Sequence, residues 1–223
     1  LEQRPRPYPS LLLGALGLTP YEVAQIYNSL ANGGFRTPLK AVRAVVSEDG
    51  ERVQRYPLEI MAAAHAADVY ALNTALVQVM ERGTGASVRR ALGSDVTVAG
   101  KTGTSDDLRD SWFAGFTSDR LVVVWVGNDD NQPTGLTGAT GAGRVWSSVL
   151  RALDTVPYTA PPPPEVRLTW IDLDTGLETE PACPRAVQIA LPRGAEPPFA
   201  RACGDDRARP IQPFRRFFRR AFE

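Results

Sequence analysis

The sequence predicts an α/β (α+β) fold, an antiparallel sheet covered by helices and followed by a small β-rich appendage. Residues 96–105, 110–117 and 121–128 read as consecutive strands joined by polar turns, the pattern of an antiparallel meander. Apolar residues at helical spacing occur before and after this run, on segments able to cover the sheet. After Asp154 the composition changes, and prolines at 161–164 form a stiff spacer of the kind that separates modules.

Taken in order, the start is proline-rich (Pro5, Pro7, Pro9) and reads as extended chain. Thr19-Pro20-Tyr21-Glu22 then forms a capping box, with Thr19 as N-cap and Pro20 at the first helical position. Val23, Ile26, Tyr27, Leu30 and Ala31 follow on one stripe, and Gly33-Gly34 ends the helix. Residues 40–46 and 51–56 flank a turn and read as a hairpin. A second helix is predicted over 66–82, with Val69, Leu72, Leu76, Val79 and Met80 inward and Gly83 as its stop. Leu121–Val126 does not alternate, so it should be buried on both faces and sit centrally in its sheet. A loop with Gly135, Gly138, Gly141 and Gly143 leads to a third helix, with Val145, Trp146, Val149, Leu150 and Leu153 on one stripe. In the appendage, 166–171 and 186–191 read as strands, with a turn at 172–176.

Composition excludes several classes. Hydrophobic residues make up 43 % of 223, enough for an ordinary domain plus an appendage. Lys+Arg equals Asp+Glu, so global charge gives no support for nucleic-acid binding. No apolar run approaches the roughly 20 residues that cross a bilayer. One His and two Cys build no Cys-rich zinc site, so no metal is expected. His65, in an alanine-rich stretch, reads as a surface or packing residue. Trp112, Trp125 and Trp146 read as core, and Asp106, Asp107 and Asp110 as a solvated turn.

The chemistry concentrates in Ala99-Gly100-Lys101-Thr102-Gly103-Thr104-Ser105. Gly100-Lys101-Thr102 imitates the end of a phosphate-binding loop, but the required earlier glycine is Asp95 and no helix follows. The alternative is Lys-Thr-Gly on a strand, the signature of penicillin-binding proteins and serine β-lactamases. Alternation along the strand puts Thr102 and Thr104 on one face and Lys101 on the other. Gly103 leaves the strand edge open to a peptide backbone lying alongside as an added strand.

Further blocks occur along the chain. Tyr8-Pro9-Ser10-Leu11-Leu12-Leu13-Gly14, Leu18-Thr19-Pro20-Tyr21-Glu22-Val23-Ala24, Ala31-Asn32-Gly33-Gly34, Arg82-Gly83-Thr84-Gly85, Ala99 to Ser105, Asp110 to Gly115 and Trp125-Val126-Gly127 stand in this order. Together they resemble the transpeptidase domain of class A penicillin-binding proteins, the bifunctional peptidoglycan synthases, of the 1b type. The resemblance implies the serine β-lactamase/transpeptidase-like fold, present in part. It further implies a serine acyltransferase that needs no cofactor, acts on stem peptides ending in D-Ala-D-Ala and is inhibited by β-lactams. Carried onto this sequence, Lys101 supplies positive charge, Thr102, Gly103 and Thr104 bind the substrate terminus, and the Thr104 N–H is an oxyanion donor. The family's motifs Ser-x-x-Lys and Ser-x-Asn match none of the serines here, and in the family both lie upstream of Tyr8. The chain therefore reads as the C-terminal part of such an enzyme, inactive alone and partnered by the upstream part of the same protein. That parent is expected at the periplasmic face of the inner membrane, anchored by an N-terminal segment. A non-catalytic peptide-binding scaffold and a β-lactamase-like hydrolase are the alternatives.

The expected organisation is a transpeptidase part at 1–156, a linker at 157–164, an extension at 165–206 and a basic amphipathic tail at 207–223. Cys183 and Cys203, if paired, would close a loop worth about 3 kcal/mol in the chain-entropy model; two free thiols are the alternative. A parent working outside the cytoplasmic membrane favours the pair. Phe214, Phe217, Phe218 and Phe222 fall on one helical face of the tail and arginines on the other.

Overall fold

The computed structural model describes residues 8–14, 16–93, 95–195 and 197. The tail, Cys203, Pro5 and Pro7 lie outside them. Pro9 departs from the extended start: it opens a 3-10 turn, Pro9–Leu13, that Gly14 closes in the left-handed region at φ 80°. Helix α1 (Pro20–Ala31) begins at the predicted box, with Glu22 N–H donating to Thr19 Oγ1 at 3.2 Å and Thr19 N–H to Glu22 Oε2 at 2.9 Å. The short strand β1 (Phe35–Arg36) pairs with β4 (Met61–Ala62), bracketing the predicted hairpin of β2 (Ala44–Val46) and β3 (Arg52–Arg55). Helix α2 (Ala66–Arg82) has the predicted bounds. Helix α3 (Ala86–Leu92) follows one turn later and is not anticipated by the sequence pattern.

The meander forms as expected from β5 (Ala99–Thr104), β6 (Ser111–Phe116) and β7 (Leu121–Val126), all antiparallel in the order β5-β6-β7. Among the described residues β7 is thus an edge and not a central strand. Its apolar residues are nonetheless used on both faces, because helices cover each. Val122, Val124 and Val126 join Phe113, Met80, Val88 and the Ala142, Trp146 and Leu150 side chains of α4 (Ala142–Arg151) in one core. Leu121 joins Phe116, Ala99 and Leu76, with Tyr27 and Leu30 of α1, in another on the opposite face. Trp146 fixes the first core: it is fully buried, packs on Phe113 at 4.7 Å and donates its indole N–H to the Val122 carbonyl at 3.0 Å.

Three expected inward sets shift. On α4, Val145, Val149 and Leu153 are exposed, and the buried face is Ala142, Gly143, Trp146, Ser147 and Leu150. This face turns inward because Trp146 fills the core against Phe113, while Gly143 lets the start of the helix approach closely: a Cβ there would stand 2.8 Å from the Gly138 carbonyl oxygen. On α2, Leu72 is exposed and Asn73 is buried, its amide donating to the Leu30 carbonyl at 2.8 Å. Trp125 is 39 % exposed, not core, because its indole N–H reaches Asp110 Oδ1 at 2.9 Å.

Tyr158 fastens the proline stretch at its start, donating its backbone N–H to the Thr97 carbonyl at 2.7 Å and packing edge-on against Phe116. Beyond it, β8 (Val166–Asp172) and β9 (Ala186–Pro192) pair antiparallel around the core of Ile171, Val187 and Ile189. This small sheet lies against α2, where Arg82 donates to the Ala186 carbonyl at 3.1 Å. Cys183 is buried and disulfide-bonded, and Thr179 donates to its sulfur at 3.1 Å. No described helix is long and apolar enough to cross a membrane.

Candidate active site

Strand β5 carries the predicted constellation on an open edge, since among the described residues only β6 pairs with it. The register sets Thr102 opposite Phe113 and Thr104 opposite Ser111, so both hydroxyls lie on the α4 side of the sheet. Lys101 and Gly103 lie on the other side, opposite Ala114 and Trp112. The lysine does not stay apart from the hydroxyls. Its ammonium returns along the strand to donate to the Thr102 carbonyl at 2.9 Å and stands 3.5 Å from Thr102 Oγ1. Burial lowers the Lys101 pKa, because desolvation penalises the ammonium. No carboxylate among the described residues forms an ion pair with it, so the charge is left for another anion.

The hydroxyls are held by residues that the sequence reading did not single out as site residues. Thr102 Oγ1 donates to Thr84 Oγ1 at 2.7 Å, across from the turn between α2 and α3. That turn is pinned under α2, with the Gly83 and Gly85 N–H groups both reaching the Val79 carbonyl. Thr104 Oγ1 accepts the Gly138 N–H at 2.9 Å. Gly138 is required for this approach: a Cβ there would stand 2.6 Å from the Gly103 carbonyl oxygen and 2.7 Å from that of Trp112. Ser111, fully buried, ties the same loop to β6 by accepting the Ala142 N–H and donating to the Thr137 carbonyl, both at 2.8 Å. The contact with Thr84 crosses 18 positions and that with Gly138 uses a backbone amide, so neither leaves a motif. The block Arg82-Gly83-Thr84-Gly85 was the available signal for the first.

The remaining polar candidates stand aside. Asp106 and Asp107 lie exposed in a short 3-10 turn, Asp106–Leu108, where Arg109 pairs with Asp107 at 3.4 Å. His65 occupies the N-cap of α2 and is exposed. Chemically, the β5 edge can offer an extended peptide a strand to pair with, and offer its terminal anion an ammonium and the proton of the Thr104 hydroxyl, with the Thr102 hydroxyl beside them.

Comparison with known proteins identifies the family and the fold. Residues 8–151 match the penicillin binding protein transpeptidase domain. The chain is 40 % identical over 171 residues to penicillin-binding protein 1B of Escherichia coli (strain K12), covering 75 % of this chain and 20 % of that protein. It is 42 % identical over 146 residues to penicillin-binding protein 1B of Vibrio cholerae, covering 66 % of this chain and 19 % of that one. The chain therefore spans about a fifth of the length of these relatives. Among solved structures, penicillin-binding protein 1A from Haemophilus influenzae shares the fold, with a TM-score of 0.73 at 22 % identity over 86 % of this chain and 34 % of that one. Penicillin-binding protein A from M. tuberculosis, solved as an imipenem acyl-enzyme complex, shares it with a TM-score of 0.51 at 21 % identity, over 63 % of this chain and 32 % of that one. On this match, and on an edge strand carrying Lys101, Thr102, Gly103 and Thr104, the chain belongs to the transpeptidase domain family of class A penicillin-binding proteins.

Proposed function

We propose that this chain forms one wall of the acyl-transfer cleft of a peptidoglycan D,D-transpeptidase. A serine elsewhere in the longer protein attacks the penultimate carbonyl of a stem peptide ending in D-Ala-D-Ala. The terminal D-Ala leaves as the free amine, and an amine of a neighbouring stem peptide then displaces the serine to form the cross-link. The observation that carries this reading is the open edge of β5, where an ammonium with no ion-pair partner among the described residues stands beside the Thr102 hydroxyl. The stem peptide lies along that edge, its terminal carboxylate attracted by Lys101 and held by Thr102 and Thr104. The Thr104 N–H faces the developing oxyanion, with the serine's own N–H as the second donor. β-Lactams occupy the same place, and the protein works at the periplasmic face of the inner membrane. On the same reading the organisation is that expected from sequence, a transpeptidase part to 156, a linker at 157–164 and an extension stapled by Cys183 and Cys203, with Cys203 outside the described residues.

Fluorescent penicillin tests the assignment. The longer protein should be labelled covalently, and Lys101→Ala and Thr104→Val should each slow acylation about tenfold or more, as expected for a lost hydrogen bond to a charged group. Near-normal rates in both variants would overturn the cleft assignment. The 223-residue chain alone, which has no Ser-x-x-Lys, should take up no label. Stoichiometric labelling of it would place the nucleophile among its own serines.

A further inference from the structure

The two hydroxyls of the cleft wall have opposite hydrogen-bond polarity, and Thr84 is the cause for one of them. A threonine hydroxyl has a single proton and two acceptor lone pairs. Thr104 fills an acceptor site with the Gly138 N–H at 2.9 Å, so its proton remains available to an arriving anion. Thr102 spends its proton on Thr84 Oγ1 at 2.7 Å and turns a lone pair toward the Lys101 ammonium, 3.5 Å away. As it stands, Thr102 cannot donate to a carboxylate.

A pair of hydroxyls can reverse. If the Thr84 O–H turns onto Thr102 Oγ1, the Thr102 proton is freed toward the cleft, and its oxygen, still accepting one bond, becomes a more polarised donor. We propose that Thr84 is a positioning residue for carboxylate recognition: it anchors the Thr102 side chain in the empty cleft and supplies the replacing hydrogen bond when Thr102 turns to the guest. Its place suits this task, because the turn that carries it is fixed to the end of α2 by two bonds to one carbonyl, and its hydroxyl meets Thr102 Oγ1 at 2.7 Å. The inference rests on the reading of the β5 edge as a carboxylate site, and it adds a residue that touches neither substrate nor nucleophile.

The test uses the longer, serine-bearing protein and compares acylation by benzylpenicillin with acylation by its methyl ester, which lacks the anion. Thr84→Val is expected to slow acylation by the acid about fivefold, the worth of one hydrogen bond, and to leave the ester unchanged. Thr84→Ser, which keeps the hydroxyl, should restore the acid rate. In a Thr102→Val background, Thr84→Val should have no further effect, because the cycle isolates the pair. An acid rate that is unchanged or raised, an equal loss for acid and ester, or an undiminished effect without the Thr102 hydroxyl would each overturn the proposal. Thr104→Val separates the two levels of inference. If it leaves the ratio of acid to ester rates unchanged, the carboxylate reading fails and the role of Thr84 with it. If it collapses that ratio while Thr84→Val does not move it, the site stands and Thr84 is only structural.

Discussion

The two edges of the central sheet are built on opposite plans. Strand β5 has a glycine in its middle, hydroxyls and an ammonium along it, and a loop pressed against its α4 side. Strand β7 is apolar at every position, and what holds it is helical: Trp146 donates to its Val122 carbonyl, and both of its faces meet helices. The β5 edge has polar groups positioned by hydrogen bonds and suits a guest that comes and goes. The β7 edge relies on burial and suits a permanent neighbour, since an exposed apolar edge invites pairing with another chain. On the proposed function, one sheet carries a working edge and a structural one.

The comparison breaks most visibly at Trp146. Replacing it with alanine removes the largest fully buried side chain and leaves the Val122 carbonyl without its indole donor. We expect Trp146→Ala to cost about 3–5 kcal/mol and to lower the melting temperature by roughly 10 °C, at the 2–4 °C per kcal/mol typical of this size. A loss under about 1 kcal/mol would mean that β7 is held by something other than α4.

The working edge has its own support in Ser111, opposite Thr104 and bonded to both sides of the loop that carries Gly138. Ser111→Ala orphans the Ala142 N–H and leaves the Thr137 carbonyl with the Gly141 N–H alone. The expected cost is about 2 kcal/mol, read by thermal or chemical denaturation, with amide exchange quickening at Gly138 before it does in β7. Uniform quickening across both edges would erase the distinction drawn between them.

Self-association is the third measure. Sedimentation equilibrium of the 223-residue chain should show it associating through β7. A lysine at that edge, Trp125→Lys, should weaken association roughly tenfold, since edge charges oppose strand pairing. Thr104→Lys, at the other edge, should leave it unchanged. Equal weakening by both would show that the two edges are interchangeable.

Much of this plan was legible in the sequence, for identifiable reasons. The capping box of Thr19 and Glu22 and the stop at Gly83 are local signals, so α1 and α2 fall at the predicted residues. The three strands were legible from β-rich runs between polar turns, and the open β5 edge from Gly103. Helix α3 escaped because it is short, has no side-chain N-cap bond and buries only Val88, with Arg89 held outside its own helix by Glu81. On α4 the stripe was legible in part: Trp146 and Leu150 face inward as expected, but Val145 and Val149 stand out, because Ala142, Gly143 and Ser147, which weigh little in an apolar count, complete the face that packs closely. The lysine and threonines of the site were visible as a motif. Thr84 and Gly138 were not marked as site residues, since what they contribute is a contact created by folding.

The smallest expected effect concerns what the working edge costs the fold. Lys101 is desolvated without an ion-pair partner among the described residues, and its pKa lies below the ordinary lysine value of 10.5. The folded chain therefore binds this proton less tightly than the unfolded one, and stability falls wherever the unfolded lysine is protonated and the folded one resists it. The penalty is full below the lowered folded pKa, shrinks as pH rises from there to 10.5, and vanishes above it. Lys101→Met, of similar length and without charge, should then melt higher than the parent near pH 7, and its advantage should shrink as pH approaches 10.5. Tyr27, whose pKa burial pushes up to about 12, adds a stability that is lost as pH rises above 10, but it does so equally in both proteins and cancels in the difference. A methionine advantage that stays constant across this range would assign the gain to packing. One that shrinks would identify the ammonium at the β5 edge as a charge kept at the expense of stability.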